Sequence, residues 1–204
     1  MKLYQHPIAP NPRRVRIALA EKGILNDVEL VTVDILNGEQ NGASFIEKNP
    51  YGGLPVLELN DGTFISESVS ITRYIEATVP TNPLFGNEAR ETALIDMWMR
   101  RIESGVLNTI ATYFHQATDG LGDSRYRNKE WGQHNLKVLT KSLDILEQQL
   151  TGRVFVVGDN YSIADITLLS AIDFGLNLEL VDLDKYTAIS TWYKTVSQRP
   201  SAEA

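Results

Sequence analysis

Asn49-Pro50-Tyr51-Gly52-Gly53-Leu54-Pro55-Val56-Leu57-Glu58 places two glycines and a proline directly ahead of an apolar run. A proline that opens a strand after glycines reads either as a cis X-Pro bond in a tight turn or as an ordinary turn before an edge strand. In the first case the backbone N–H and C=O of Leu54 face outward. Such groups can pair, strand-fashion, with the backbone of an extended peptide ligand.

Downstream, Pro55 to Leu59, the turn Asn60-Asp61-Gly62 and Thr63 to Ile65 read as strand, turn, strand. Ile65-Ser66-Glu67-Ser68 follows where a strand enters a helix of about Glu67 to Ala77. There Ser66 or Ser68 can cap the helix and Glu67 complements its positive end. The alternative is functional: Ser68 and the free N–H groups accept a ligand carboxylate while Glu67 binds an ammonium beside it, together reading an α-amino acid head group.

Upstream, residues 2–6 (KLYQH) are β-prone and stop at Pro7 and Pro10. Asn11 as N-cap, Pro12 at the first helical position and Gly23 as the breaker predict a helix over 12–22. Residues 28–35 (VELVTVDI) form a β-branched run, and 42–48 suits a short helix ending at Asn49-Pro50. The order is β-α-β-α-β-β-α. The following VPTNPLFG, with Pro80, Pro83 and Gly86, is an extended break. The chain therefore reads as a first domain over 1–79, a linker over 80–87 and a helical domain over 88–204. Long helix-periodic segments run over 88–117 and 128–150, and Val154 to Val157 is a short strand signal.

Composition narrows the chemistry. The 204 residues, 43% hydrophobic, suffice for one large or two small domains with real cores. No apolar run approaches the length of a membrane span and the N-terminus has no leader pattern, so a soluble cytoplasmic protein is expected. Zero cysteines exclude disulfides, zinc-thiolate sites and a nucleophilic cysteine of the glutaredoxin kind. Thiol chemistry would have to use a thiol brought by the ligand. A net charge of -7 argues against nucleic-acid binding, and three scattered histidines argue against a metal site.

Leu3-Tyr4, residues 9–24 (APNPRRVRIALAEKGI), NPYGGLPVLE and residues 65–75 (ISESVSITRYI), in that order, resemble the glutathione-binding domain of soluble glutathione transferases of the bacterial type. Residues 159–165 (DNYSIAD) resemble that family's Ser-x-x-Asp capping element, so the likeness spans nearly the whole chain. It implies a thioredoxin-like α/β domain followed by an all-helical domain, with glutathione as co-substrate and no metal. It further implies that Leu54, Pro55, Val56, Glu67 and Ser68 hold glutathione, with Gln40 near the glycyl carboxylate. Gly53 stands where some members carry a lysine. The helical domain would line a pocket for a small apolar substrate, with Ala9 and Tyr113 at that pocket. A homodimer is implied as well.

In Ser162-Ile163-Ala164-Asp165, Ser162 caps a helix and Asp165 reaches back to its backbone N–H, a capping box with Asp in place of Glu. On that reading Asp165→Ala costs about 1 to 2 kcal/mol.

A free thiol has a pKa near 8.5, so lowering it by about 2 units takes roughly 2.7 kcal/mol of preferential thiolate stabilisation. Relatives supply a hydroxyl or thiol just after the first strand, but the aligned residue here is Ala9. Asn11 matches an asparagine of some bacterial and fungal members, and its amide N–H2 can donate to sulfur; its other role is the N-cap. Tyr4 is the alternative phenol donor, or a packing residue. Arg13 and Arg14 sit in a first turn that disfavours cations, which points either to an anion nearby or to solvated charges paired with Glu21 or the other domain. Ala9 leaves two functions open: an enzyme that uses the thiolate of glutathione on an electrophile, peroxide or disulfide, and a non-catalytic relative that binds ligands or partners.

Overall fold

The strands form one sheet in the order β2-β1-β3-β4: β1 (Lys2–Gln5), β2 (Glu29–Thr32), β3 (Val56–Glu58) and β4 (Phe64–Ser66). β1 runs parallel to β2 and antiparallel to β3, and β3 pairs antiparallel with β4. Alternation along the strands supplies each face with its own apolar set. Leu3 and Leu57 join Val15, Leu19, Ile71 and Ile75 in one cluster, beneath α1 (Pro10–Glu21) and α3 (Ser68–Thr78). Val56, on the opposite face, packs with Val33 and Phe45, the last from α2 (Ala43–Ile46). The β-α-β-α-β-β-α order is that of a thioredoxin-like domain. The expected strand over 28–35 contracts to Glu29–Thr32, mostly exposed, because β2 is an edge strand with one neighbour.

The computed structural model describes residues 1–118 and 126–204. These divide into two units, Met1–Leu84 with Pro200–Ala204, and Phe85–Arg199. The last five residues thus leave the helical domain expected over 88–204 and rejoin the first unit. Arg13 Nη2 donates to the carbonyl of Ala202 at 2.9 Å, and the Ser201 hydroxyl donates to Glu21. The extended break is also less free than its prolines suggest. Lys22, with its side chain fully buried, places its ammonium 2.6 Å from the Glu76 carboxylate. It donates to the carbonyls of Thr81 and Asn82 as well, at 2.7 and 3.0 Å. Glu76 in turn accepts the Leu84 N–H. These bonds tie residues up to Leu84 to the first unit, beyond the boundary expected at 79.

The second unit comprises α4 (Ala89–Ile102), α5 (Asn108–Ala117), α6 (Lys129–Leu150), α7 (Ile163–Asn177) and α8 (Thr187–Val196). The helix expected over 88–117 is interrupted by a π-helical turn at Glu103–Leu107. Gly105 lies in that turn with no room for a Cβ against Ser142 of α6, and the Thr109 hydroxyl donates to the carbonyls of Gly105 and Val106. Periodicity alone does not resolve such a turn, since the apolar stripe continues through it. Asn128 caps α6 by accepting the Trp131 N–H at 2.8 Å. Val154 to Val157 is not a strand: Val156 instead donates its N–H to Asp165.

α7 is buried nearly all round and forms the centre of this unit. At its start Ser162 and Asp165 form the expected capping box. Asp165 does more than cap. It is fully buried and accepts from the Val156 N–H, the Trp192 Nε1–H, the Ser162 N–H and the Ser162 hydroxyl, all at 2.9 to 3.0 Å. Burial pushes its carboxyl pKa up, and these four donors oppose the shift. Among the described residues no helix is long and apolar enough to cross a membrane, and no three His, Asp or Glu side chains gather as metal ligands.

Candidate functional site

The Leu54–Pro55 peptide bond is cis, the first of the two readings of NPYGGLPVLE. The loop before it is held from within. Asn49, buried, donates Nδ2 to the carbonyl of Gly53 at 2.9 Å and accepts the N–H of Tyr51 on Oδ1. Gly52 has φ +63°, and a Cβ there would sit 3.1 Å from the Gln40 carbonyl, so only glycine fits. That contact brings Gln40, in a short 3-10 turn at Glu39–Asn41, against the loop. The Gln40 side-chain oxygen is buried without a hydrogen-bond partner. Among the described residues the N–H and C=O of half-buried Leu54 take no hydrogen bond. Val56 begins β3 opposite Tyr4 on one side and Ser66 on the other.

At the other end of that hairpin the expected helix cap is absent. Glu67 is itself the N-cap residue of α3, and neither Ser66 nor Ser68 caps the helix with its side chain. Glu67 adopts φ +68° and ψ 117°, a region that costs a non-glycine residue of order 1–3 kcal/mol. Its side chain is exposed. Ser68 is buried, next to the uncapped N–H groups of the helix. Once capping no longer accounts for this Glu-Ser pair, what remains is an acceptor for a cation beside donors for an anion.

The helix after β1 corrects three expectations. It starts at Pro10, with Ala9 as N-cap and no side-chain cap, instead of at Pro12 under Asn11. Pro10 presets the helical φ and lacks an N–H the first turn could not use, and Pro12 is tolerated there for the same reason. Asn11 lies inside the first turn, and its Oδ1 accepts from Arg14 Nη2 at 3.0 Å. Arg14 is not a solvated charge: it is 4% exposed, and the same Nη2 donates to Ser68 Oγ at 2.5 Å. Arg16, also buried, donates to Gln5 Oε1 at 2.7 Å and to the Pro7 carbonyl at 3.0 Å, fixing the loop that carries Ala9.

Tyr4, the alternative thiol donor, has its hydroxyl engaged within the protein. Its hydroxyl donates to Glu58 Oε2 at 2.6 Å, and its pKa is pushed up to about 12 by burial and by the Glu58 carboxylate. Its ring packs edge-on against Phe45 with the Lys48 ammonium over it, which is a structural setting. Tyr113 lies half-buried on α5, in the second unit. The first unit thus gathers Gln40, Leu54 and Val56 around one loop, and Asn11, Arg14 and Ser68 through one guanidinium. In the sequence Arg14 stands out as a cation at a helix start that calls for an anion or a solvated pairing; its tie between two helix starts depends on a partner 54 residues away.

Comparison with known proteins gives the same picture over the whole chain. Residues 8–78 match the family model "Glutathione S-transferase, N-terminal domain", and residues 108–200 match "Glutathione S-transferase, C-terminal domain". The chain is 40% identical to glutathione S-transferase 2 of Saccharomyces cerevisiae, over all of this chain and 88% of that one. Among solved structures, Gtt2 from the same yeast superposes with a TM-score of 0.94 at 39% identity, covering 100% and 99% of the two chains. A glutathione S-transferase domain-containing protein of Marinobacter aquaeolei gives 0.94 at 37% identity, covering 98% and 99%. With a thioredoxin-like unit, a helical unit and relatives matched along its full length, this chain belongs to the glutathione S-transferase family.

Proposed function

We propose that the first unit binds glutathione through its γ-glutamyl head and cysteinyl backbone and presents the thiolate to a small apolar substrate. Glu67 takes the ammonium. Ser68 and the N–H groups opening α3 take the α-carboxylate, where the helix dipole favours an anion. The open N–H and C=O of Leu54, between Gly53 and Pro55, pair with the cysteinyl backbone, and Val56 fixes the strand behind them. Gln40 lies on the glycyl side, with no lysine at position 53 to assist. The observation that carries this reading is Glu67: an exposed carboxylate held on a left-handed backbone, with no capping duty, beside a buried serine.

With Ala9 offering no hydroxyl, and with prolines at 10 and 12 and the Arg13 N–H bonded to the Ala9 carbonyl, the donors left for sulfur at the start of α1 are the Asn11 backbone N–H and the Asn11 Nδ2–H2. A thiolate there attacks an electrophilic carbon, forming the C–S bond as the leaving group departs with its electron pair. With a peroxide or a disulfide, two glutathiones supply the two electrons and end as their own disulfide. The helical unit, with Tyr113 on α5, contributes the apolar pocket. The protein works in the cytoplasm as a homodimer. A bacterial-type affiliation is supported by the 37% identity to the Marinobacter protein, while the yeast relatives, at 39 to 40%, support a fungal one equally. Titration calorimetry tests the binding step: glutathione should bind once per chain, and no detectable heat of binding at millimolar ligand would remove the proposal.

Tyr4→Phe follows directly. With its hydroxyl already given to Glu58, the variant should keep kcat/KM within about twofold of wild type in a glutathione conjugation assay. A hundredfold loss in kcat would return the phenol to the mechanism.

A further inference from the structure

We infer that Arg14 is a positioning residue that sets the hydrogen-bond polarity of the glutathione site, turning both Asn11 and Ser68 into donors toward an anionic ligand. The inference rests on the glutathione reading above and adds a residue to it. A guanidinium only donates, and each of its terminal nitrogens carries two hydrogens. Arg14 Nη2 spends them on Asn11 Oδ1 at 3.0 Å and on Ser68 Oγ at 2.5 Å.

Both acceptors are thereby fixed in orientation. With Oδ1 bound, the Asn11 amide can present only Nδ2–H2 elsewhere. With its oxygen accepting, Ser68 must send its hydroxyl hydrogen to another acceptor. Among the described residues neither donor has a protein partner, so each is left for a ligand: Nδ2 for the sulfur, the hydroxyl for the α-carboxylate. Without Arg14 the Asn11 amide is free to turn its oxygen to the sulfur, where it repels a thiolate, and Ser68 is free to accept instead of donate.

The burial of Arg14 fits the same role. At 4% exposure the Arg14 guanidinium gets little help from water, and its desolvation carries a cost. An anion bound at Asn11 or Ser68 lies one hydrogen bond from this charge and offsets that cost. The guanidinium serves both ends of the ligand through one nitrogen.

The test uses Arg14→Met and Arg14→Lys in the full chain, with two ligands. Glutathione reports the bound thiol pKa by its ultraviolet thiolate absorbance, and S-methylglutathione, which has no thiol to ionise, reports head-group affinity by calorimetry. Arg14→Met should raise the bound thiol pKa by about one unit and weaken S-methylglutathione roughly tenfold. Arg14→Lys should recover part of each, since it keeps the charge on a shorter stem without the fork. A role in folding alone lowers the melting temperature and leaves both quantities at wild-type values, and that result overturns the inference. If Arg14→Met does not fold, wild-type values for both quantities in Arg14→Lys overturn it equally. An unshifted thiol in the wild-type protein is a different failure: it removes the thiolate step of the proposed function, while the S-methylglutathione arm still reads the orientation of Ser68.

Discussion

Glu67→Ala is expected to weaken glutathione binding by about 2 to 3 kcal/mol, roughly thirty- to a hundredfold, while the melting curve stays within a degree or two of wild type. The asymmetry comes from the geometry. The Glu67 side chain is exposed and caps nothing, so its loss removes no packing, and its backbone carbonyl still accepts the Ile71 N–H at 2.9 Å. A ligand ammonium, by contrast, loses a charge-assisted partner. Titrating wild type and variant with glutathione and with an analogue lacking the α-amino group closes a double cycle. The variant should bind the two alike, and wild type should prefer glutathione. Equal preference in wild type would take Glu67 out of the head-group site.

Asp165→Ala should cost about 3 to 5 kcal/mol of stability, well above the 1 to 2 kcal/mol that a capping box alone implies. The difference lies in Val156 and Trp192, whose N–H groups join those of Ser162 on the one carboxylate. Removing it strands four donors in the interior of the second unit. Asp165→Asn separates the contributions: its oxygen can still serve Val156 and Trp192, while its NH2 meets the Ser162 N–H. Denaturant unfolding should place Asn between wild type and Ala, near half the loss. An Ala variant that loses less than about 1.5 kcal/mol would show that water or rearrangement satisfies those donors.

Much of the thioredoxin-like unit was legible because its signals are local. Glycine and proline around Leu54, the Asn60-Asp61-Gly62 turn and the β-branched runs each act within a few residues. The strand at Val154 to Val157 and the Asn11 cap were misread where tertiary bonding overrode propensity. Val156 is needed by Asp165, and Pro10 starts the helix two residues before Pro12. Long-range ties were beyond local reading altogether. Nothing around Lys22 announces Glu76 and the carbonyls of Thr81 and Asn82, and nothing in Pro200 to Ala204 announces a return to α1. At the site, residue types indicated Glu67, Ser68 and Leu54, but the orientation of Asn11 depends on a buried guanidinium that sequence showed only as an electrostatic mismatch.

In the proposed mechanism this protein ionises the thiol of bound glutathione without a hydroxyl at position 9. That ionisation is measured by pH titration of the thiolate absorbance in the glutathione complex. A bound-thiol pKa below about 7 is expected, with thiolate the majority species at neutral pH, against a free value near 8.5. A bound thiol that titrates near its free value would contradict it, and would leave a protein that holds glutathione without activating it.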